Sequence, residues 1–320
     1  MEGIYAAWSL LTEPWALLAM AASFLYAVMN HYDTYLVKEV VGSEDEHDGV
    51  GILASVSGLF GFVTATSIAL YAMFTGQSLI MEPTLVAQAA AVGALELVWL
   101  IPYLYATDRS GALEAAPLFQ SIPVFSLILG LLAFGEVPPV IQVVASITIV
   151  IGGGLLNLVP GSWQLEWKTI GQMLFASLVI ALAYFIFKDT ALEGNFVATV
   201  FWGGLSMGVT TAILLLVYRP YRRQFVSFLA SPQRGKLKHQ GVNEVLNALS
   251  VLLSQRAMML GPSVMAVTAL NAYQPVFVLL ISWVLIKFGV GPNNTKLEGR
   301  EAVKKTLAIA LIALGTLLLA

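Results

Sequence analysis

The sequence predicts an all-α integral membrane protein, with ten transmembrane helices arranged as two inverted five-helix repeats. Three observations predict it. Of 320 residues, 58% are hydrophobic and 11% are charged, against roughly 45–50% and 25% in a soluble domain. Apolar runs bounded by charge, Gly or Pro divide the chain into ten stretches of about the 20 residues that cross a bilayer. Motifs of the first half return in the second: Tyr32-Asp33-Thr34 as Lys188-Asp189-Thr190, 156 residues on, and the Pro-Val-Phe at Pro123 as that at Pro275, 152 residues on.

The ten spans fall near 15–37, 50–74, 84–106, 111–134, 138–159, 168–188, 195–218, 240–260, 263–287 and 303–320. Residues 1–160 form the first five-helix repeat and 161–320 the second. Most links are short, so consecutive helices are antiparallel neighbours. The longer links are the acidic Glu39–Asp48, the basic Arg219–His239 and the polar Gly289–Arg300. Five is odd, so consecutive halves enter the membrane with opposite orientation, and a ligand site is expected near the midplane where they meet.

Charge sets the sidedness. Fourteen of the sixteen Lys and Arg residues lie on links facing away from the termini, six of them between Arg219 and Lys238; the terminal side keeps Lys188 and Arg256. The positive-inside rule then puts the basic side in the cytoplasm and both termini outside. The run from Arg219 to Lys238 is read first as this topology signal and second as a contact for anionic headgroups. Net charge of −3 excludes a nucleic-acid binder with a broad basic face. With no cysteine, and with His31, His47 and His239 scattered, no metal or thiolate site and no cofactor is expected. Glu2 and Glu13 leave the N-terminus without the basic start of a cleaved signal peptide.

The fourth span carries Pro117, Gln120 and Pro123 in its first half. Prolines free backbone carbonyls inside a helix, and in lipid those must be met within protein-lined space. The ninth span repeats the arrangement with Asn271, Gln274 and Pro275. Gln120, Asn271 and Gln274 are therefore candidates either to bind a polar ligand or to satisfy the freed carbonyls. Glu96 is the strongest single candidate: it lies near the middle of the third span, where an ionisable group costs about 2.5 kcal/mol or more and usually faces a cavity, a partner or an ion path. The plainer reading is a hydrogen-bonded packing acid. Glu244 in the eighth span precedes Pro275 by 31 residues where Glu96 precedes Pro123 by 27, so one extra turn would make the two acids approximate symmetry mates; the plainer reading is a first-turn acid, with Asn243 capping the helix. Asn247, Ser250 and Ser254 follow at helical spacing. Asn30 and Asp33 share a face of the first span, with Asp33 also serving as an end marker. Trp99, Tyr103, Tyr184 and Tyr273 offer aromatic faces to a cation or ring, or simply pack. Gly152-Gly153-Gly154 lies inside an apolar helix and permits close packing.

The residues Ala112 to Pro117, Pro123, Phe134-Gly135-Glu136 and Ile147 to Gly153, together with Leu260-Gly261-Pro262-Ser263, Gln274-Pro275-Val276-Phe277 and Ile309 to Gly315, resemble the EamA family of the drug/metabolite transporter superfamily. The sequence departs from that pattern where Phe288 stands at the offset of Glu136, leaving Glu298 or Glu301 as stand-ins beyond an inserted loop. Its charge bias also opposes the cytoplasmic termini usual in ten-helix relatives. The resemblance implies a non-enzymatic secondary transporter of a small polar or amphipathic metabolite in a prokaryotic inner membrane, working by alternating access, with protons or a counter-substrate as coupling partners, as monomer or homodimer. The site it would use is the cavity of Glu96, Glu244, Asn30, Gln120, Asn271, Gln274, Trp99 and Tyr184. The alternatives are a translocase for a lipid-linked headgroup and a non-transporting membrane interaction subunit.

Overall fold

The structure is a computed structural model. It describes residues 12–40, 48–110, 116–133, 135, 137–157, 167–231, 235, 237–271, 273–287 and scattered residues between 307 and 318. Glu136, Phe288, Glu298 and Glu301, and the side chains of Asp33, Pro117 and Pro275, lie outside what is described.

Helices account for nearly all of it, and no strand occurs among the described residues. In chain order they are α1 Pro14–Val40, α2 Asp48–Thr75, α3 Pro83–Ser110, α4 Ile122–Ala133, α5 Val140–Asn157, α6 Trp167–Glu193, α7 Phe196–Val217, α8 Arg219–Ala230, α9 Leu237–Leu260, α10 Val264–Asn271 and α11 Gln274–Lys287. A 3₁₀ turn, Ala116–Ser121, leads into α4. Among the described residues, five helical stretches are long and apolar enough to cross a membrane: Gly49–Thr75, Pro83–Arg109, Trp167–Glu193, Phe196–Val217 and Val264–Leu285. The outer surface is correspondingly apolar, with Phe74 88%, Leu132 82% and Val217 77% exposed. Such a surface suits lipid and would be an aggregation liability in water.

Local chemistry sets the helix ends. Gly76, with φ of 69°, ends α2 in the left-handed conformation, and Gln77 N–H returns to Ala72 O at 3.0 Å, the Schellman closure that glycine makes inexpensive. Asn195 opens α7 by accepting from Ala198 N–H at 2.7 Å, one of the orphan donors of a helix start.

Three departures from the expected spans have physical causes. The fourth span is tightened to 3₁₀ over Ala116–Ser121 ahead of α4, whose Pro123 has no N–H to return to the Phe119 carbonyl. The ninth is split into α10 and α11 just before Pro275, with Tyr273 O accepting from Val276 and Phe277 N–H. The basic link contains a helix, α8, whose Tyr221 and Phe228 are buried and whose arginines are exposed. Burial, reinforced by the Tyr105 hydroxyl, holds the Tyr221 phenol above its ordinary range, so it stays a donor, bonded to Tyr105 at 3.2 Å.

Tight helix crossings depend on glycine. A Cβ on Gly93 of α3 would stand 2.0 Å from the Gly203 carbonyl oxygen of α7, and one on Gly61 of α2 would stand 2.5 Å from that of Gly204. Small residues let the backbones touch, as in membrane helix pairs. The principal packing pairs are α3 with α6 and α7, α2 with α7, and α1 with α9, α10 and α11. A Cβ on Gly152 of α5 would stand 2.8 Å from the Ala308 carbonyl oxygen, so this glycine allows α5 to pack closely on the segment around Ala308.

Hydrogen bonds tie the links together at separate places. Asn195 and Trp202 donate to Ser78 O and Leu79 O at 3.2 and 3.0 Å, which joins the α2–α3 and α6–α7 links. Elsewhere Tyr32 meets His239 at 2.9 Å and Arg109 donates to Gln172 at 3.3 Å.

Candidate functional site

A cavity of about 140 Å³ lies among α1, α2, α3, the 3₁₀ turn, α4, α6, α9, α10 and α11. All eight residues nominated from sequence, Asn30, Glu96, Trp99, Gln120, Tyr184, Glu244, Asn271 and Gln274, line it. They come from six helices and the 3₁₀ turn, so packing alone has assembled them.

One wall is built on α3. Glu96, Trp99 and Tyr103 follow at spacings of three and four, hence on one face. Trp99 Nε1 donates to Glu96 Oε2 at 2.6 Å, which holds the carboxylate in place from its own helix. The Trp99 ring packs on Tyr103 and Phe119 at 5.9 and 6.0 Å between centroids, and Tyr103 packs on Phe119 at 5.1 Å. Pro102 sits inside this helix, so the turn carrying the aromatic wall lacks a backbone hydrogen bond.

The facing wall is built on α9. The helix begins at Leu237, which moves Asn243 and Glu244 into its interior. The capping reading of Asn243 and the first-turn reading of Glu244 are both corrected by this: three more residues join the helix than the span near 240–260 allowed. Glu244 is 4% exposed. Its Oε1 accepts from Gln240 Nε2 at 2.6 Å, one turn earlier, and from Ser57 Oγ across on α2. A buried carboxylate requires such donors.

A polar chain links the two walls to the broken helix. Tyr26, Tyr184 and Glu96 line the same cavity, with Tyr184 buried. Asn271 Nδ2 donates to Ser254 Oγ at 3.1 Å, and the one Ser23 hydroxyl proton has three acceptors in reach, Ala19 O at 3.0 Å, Leu270 O at 3.3 Å and Asn271 Oδ1 at 3.4 Å. The amide beside the helix break therefore serves Ser254 and lies within reach of Ser23. Asn30, Gln274 and Asn247 face the cavity, while Ser250 turns to its own backbone at Leu246 O, 2.8 Å away.

Several contributors escaped the sequence reading. Ser57 has no charged or periodic polar neighbour to announce it. Tyr26, Gln240 and Pro102 were legible: Tyr26 stands four residues before Asn30, Gln240 four before Glu244, and proline inside an apolar span is a signal in its own right.

Behind the acids lies a second cavity of about 100 Å³, lined in part by Gly61, Gly93, Gly203 and Gly204. Ser57, Glu96, Trp99, Glu244 and Asn247 line both cavities and so form the partition between them. Among the described residues no Lys, Arg or His lines either one, and no three or more His, Cys, Asp or Glu residues gather as a metal site requires.

No family model and no curated protein matches this chain. Among solved structures, a chain described only as a protein is similar over 95% of this chain and 95% of its own length, with TM-score 0.62 and 14% identity. That likeness concerns the fold alone.

Proposed function

We propose that the chain is a secondary transporter for a small polar or amphipathic metabolite, in which two inverted five-helix halves, residues 1–160 and 161–320, rock around the cavity of Glu96 and Glu244. The observation that carries this reading is the convergence of eight residues nominated from widely separated spans onto one cavity. Ionisable groups within membrane spans are expensive unless they serve an ion or substrate path.

The packing supports two related halves. Advancing each span by five exchanges the α3–α6 pair with the α9–α1 pair and returns the α2–α7 pair to itself, and all three are principal contacts. Likewise α4 packs on α6 as α10 and α11 pack on α1. Sites at the interface of such repeats are the usual substrate sites of secondary transporters. The resemblance of the motifs around Pro123 and Pro275 to the EamA family points the same way. Glu96 is the proton- or cation-binding group in this reading, with Glu244 supporting it and the amides of Asn30, Gln120, Asn271 and Gln274 orienting polar groups. The basic links face the cytoplasm and the termini the other side of a prokaryotic inner membrane.

The test is flux in proteoliposomes under an imposed pH gradient, using a ligand found by thermal stabilisation across amino acids, amines, nucleotides, nucleotide sugars and lipid phosphates. A ligand at about 100 times its dissociation constant stabilises by about 2.7 kcal/mol. Glu96→Gln is expected to abolish the gradient dependence. Gradient-driven uptake that survives the substitution undiminished removes Glu96 from the coupling role.

A further inference from the structure

Unpaired groups in the cavity point to what enters it. Gln120 is 6% exposed and Gln240 4%, and the Oε1 atom of each is buried without a hydrogen-bond partner. The Gln240 assignment follows from its other end, since Nε2 donates to Glu244. Thr107 Oγ1, on the same wall as Trp99, is likewise buried and unpaired. A buried polar atom left unmet costs about 1–3 kcal/mol; the Thr107 hydroxyl can donate or accept, whereas the amide oxygens can only accept, so they fit a ligand that brings donors.

Charge agrees with this. Among the described residues the lining holds two acids and no basic side chain. An anion placed there would meet Glu96 and Glu244 with no Lys, Arg or His on the described lining to oppose them. The rings of Trp99, Tyr103 and Phe119 add faces whose quadrupoles attract cations. The cavity, at about 140 Å³, compares with the engineered cavity of about 150 Å³ that takes up benzene, so it has room for about one ring, and a short chain must reach the polar groups of the lining.

We propose that the substrate is an amphipathic organic cation, a protonated primary or secondary amine on an aromatic or comparably small apolar body. Its N–H groups, three in a primary and two in a secondary ammonium, are shared among Glu96, Glu244 and the amide oxygens of Gln120 and Gln240. Its apolar body packs against Trp99, Tyr103 and Phe119. The choice of a protonated amine over a quaternary ammonium follows from the unpaired Gln240 oxygen, whose assignment the bond from Nε2 to Glu244 fixes and which needs a donor. This rests on the cavity being the substrate site of the proposed transporter.

Four probes that share a phenyl body and a two-carbon chain test the class. They are phenethylammonium, 2-phenylethanol, 3-phenylpropionate and L-phenylalanine, each titrated into the purified full chain and read by thermal shift and tryptophan fluorescence. Phenethylammonium is expected to bind at least tenfold more tightly than the other three. Glu96→Gln and Glu244→Gln should each weaken it tenfold or more. Gln120→Leu discards an unpaired polar group, so it is expected to keep or raise the unfolding temperature while weakening phenethylammonium. Binding of 3-phenylpropionate or L-phenylalanine as tight as that of the amine overturns the proposal. So does the absence of binding by all four at millimolar concentration, or amine affinity unchanged in Gln120→Leu and in both acid variants. Vesicle flux separates this from the wider reading. An amine that binds as stated but is not carried leaves the cation site standing and removes the transporter; preferential carriage of 3-phenylpropionate keeps the transporter and removes the cation.

Discussion

Glu244 and Glu96 are held in different ways, and the difference is measurable. Glu244 takes its donors from two helices, Gln240 on α9 and Ser57 on α2, and is almost fully buried. Replacing it with Ala strands the amide and the hydroxyl, at about 1–3 kcal/mol for a buried unmet group. Glu244→Gln retains an acceptor oxygen and is expected to lose less. Thermal unfolding of the detergent-purified variants reads the order, and equal losses would show that the two hydrogen bonds do not carry the effect. Glu96 is held within its own helix by Trp99 at 2.6 Å and remains partly open to the cavity. Trp99→Phe keeps a ring among Tyr103 and Phe119 while removing the donor. Its cost in stability is expected to be near the net worth of one charge-assisted hydrogen bond, about 1.5–3 kcal/mol, again read from unfolding.

Individual helices are legible in this chain, but their contacts depend on where glycine lets backbones meet. Gly93 of α3 leaves no room for a Cβ, because the Gly203 carbonyl oxygen would lie 2.0 Å away, whereas Gly171 of α6 has nothing within 4 Å. Gly93→Ala is therefore expected to force α3 and α7 apart and to destabilise by about 1–3 kcal/mol, as overpacking does. Gly171→Ala should stabilise by about 0.5–1 kcal/mol through helix propensity. Opposite signs in the two unfolding midpoints are the expected result; the same sign in both would mean that propensity, and not contact, governs α3. The broken elements follow a related rule. Pro123 and Pro275 were legible as interruptions, yet the 3₁₀ turn before α4 and the turn at Tyr273 between α10 and α11 are different answers to the same chemistry. Helix α8 was read only as a basic link, because the three arginines near its start set the average although half of its twelve residues, Tyr221 and Phe228 among them, are apolar.

At the scale of the whole molecule, the links make a topological prediction that the cysteine-free chain is well suited to check. Gln77, after α2, lies on the side assigned to the termini, and Ser231, after α8, on the basic side. Gln77→Cys in intact cells is expected to react with a membrane-impermeant maleimide, and Ser231→Cys only after permeabilisation. The reverse pattern would invert the assigned orientation while leaving the fold untouched.

By itself the sequence determined the class of molecule and the residues worth watching. Apolar length, sparse charge and prolines inside spans are local properties, and a carboxylate such as Glu96 in the middle of an apolar helix is visible without knowing its neighbours. Only the tertiary structure decided that Asn30, Gln120, Tyr184, Glu244 and Asn271 share one cavity with Glu96, that Ser57 serves Glu244, and that the amide oxygens of Gln120 and Gln240 are left open. The physical reason is that periodicity reports which residues share a helix face. Which faces meet, and which polar atoms then find partners, depends on the close approach of many helices at once.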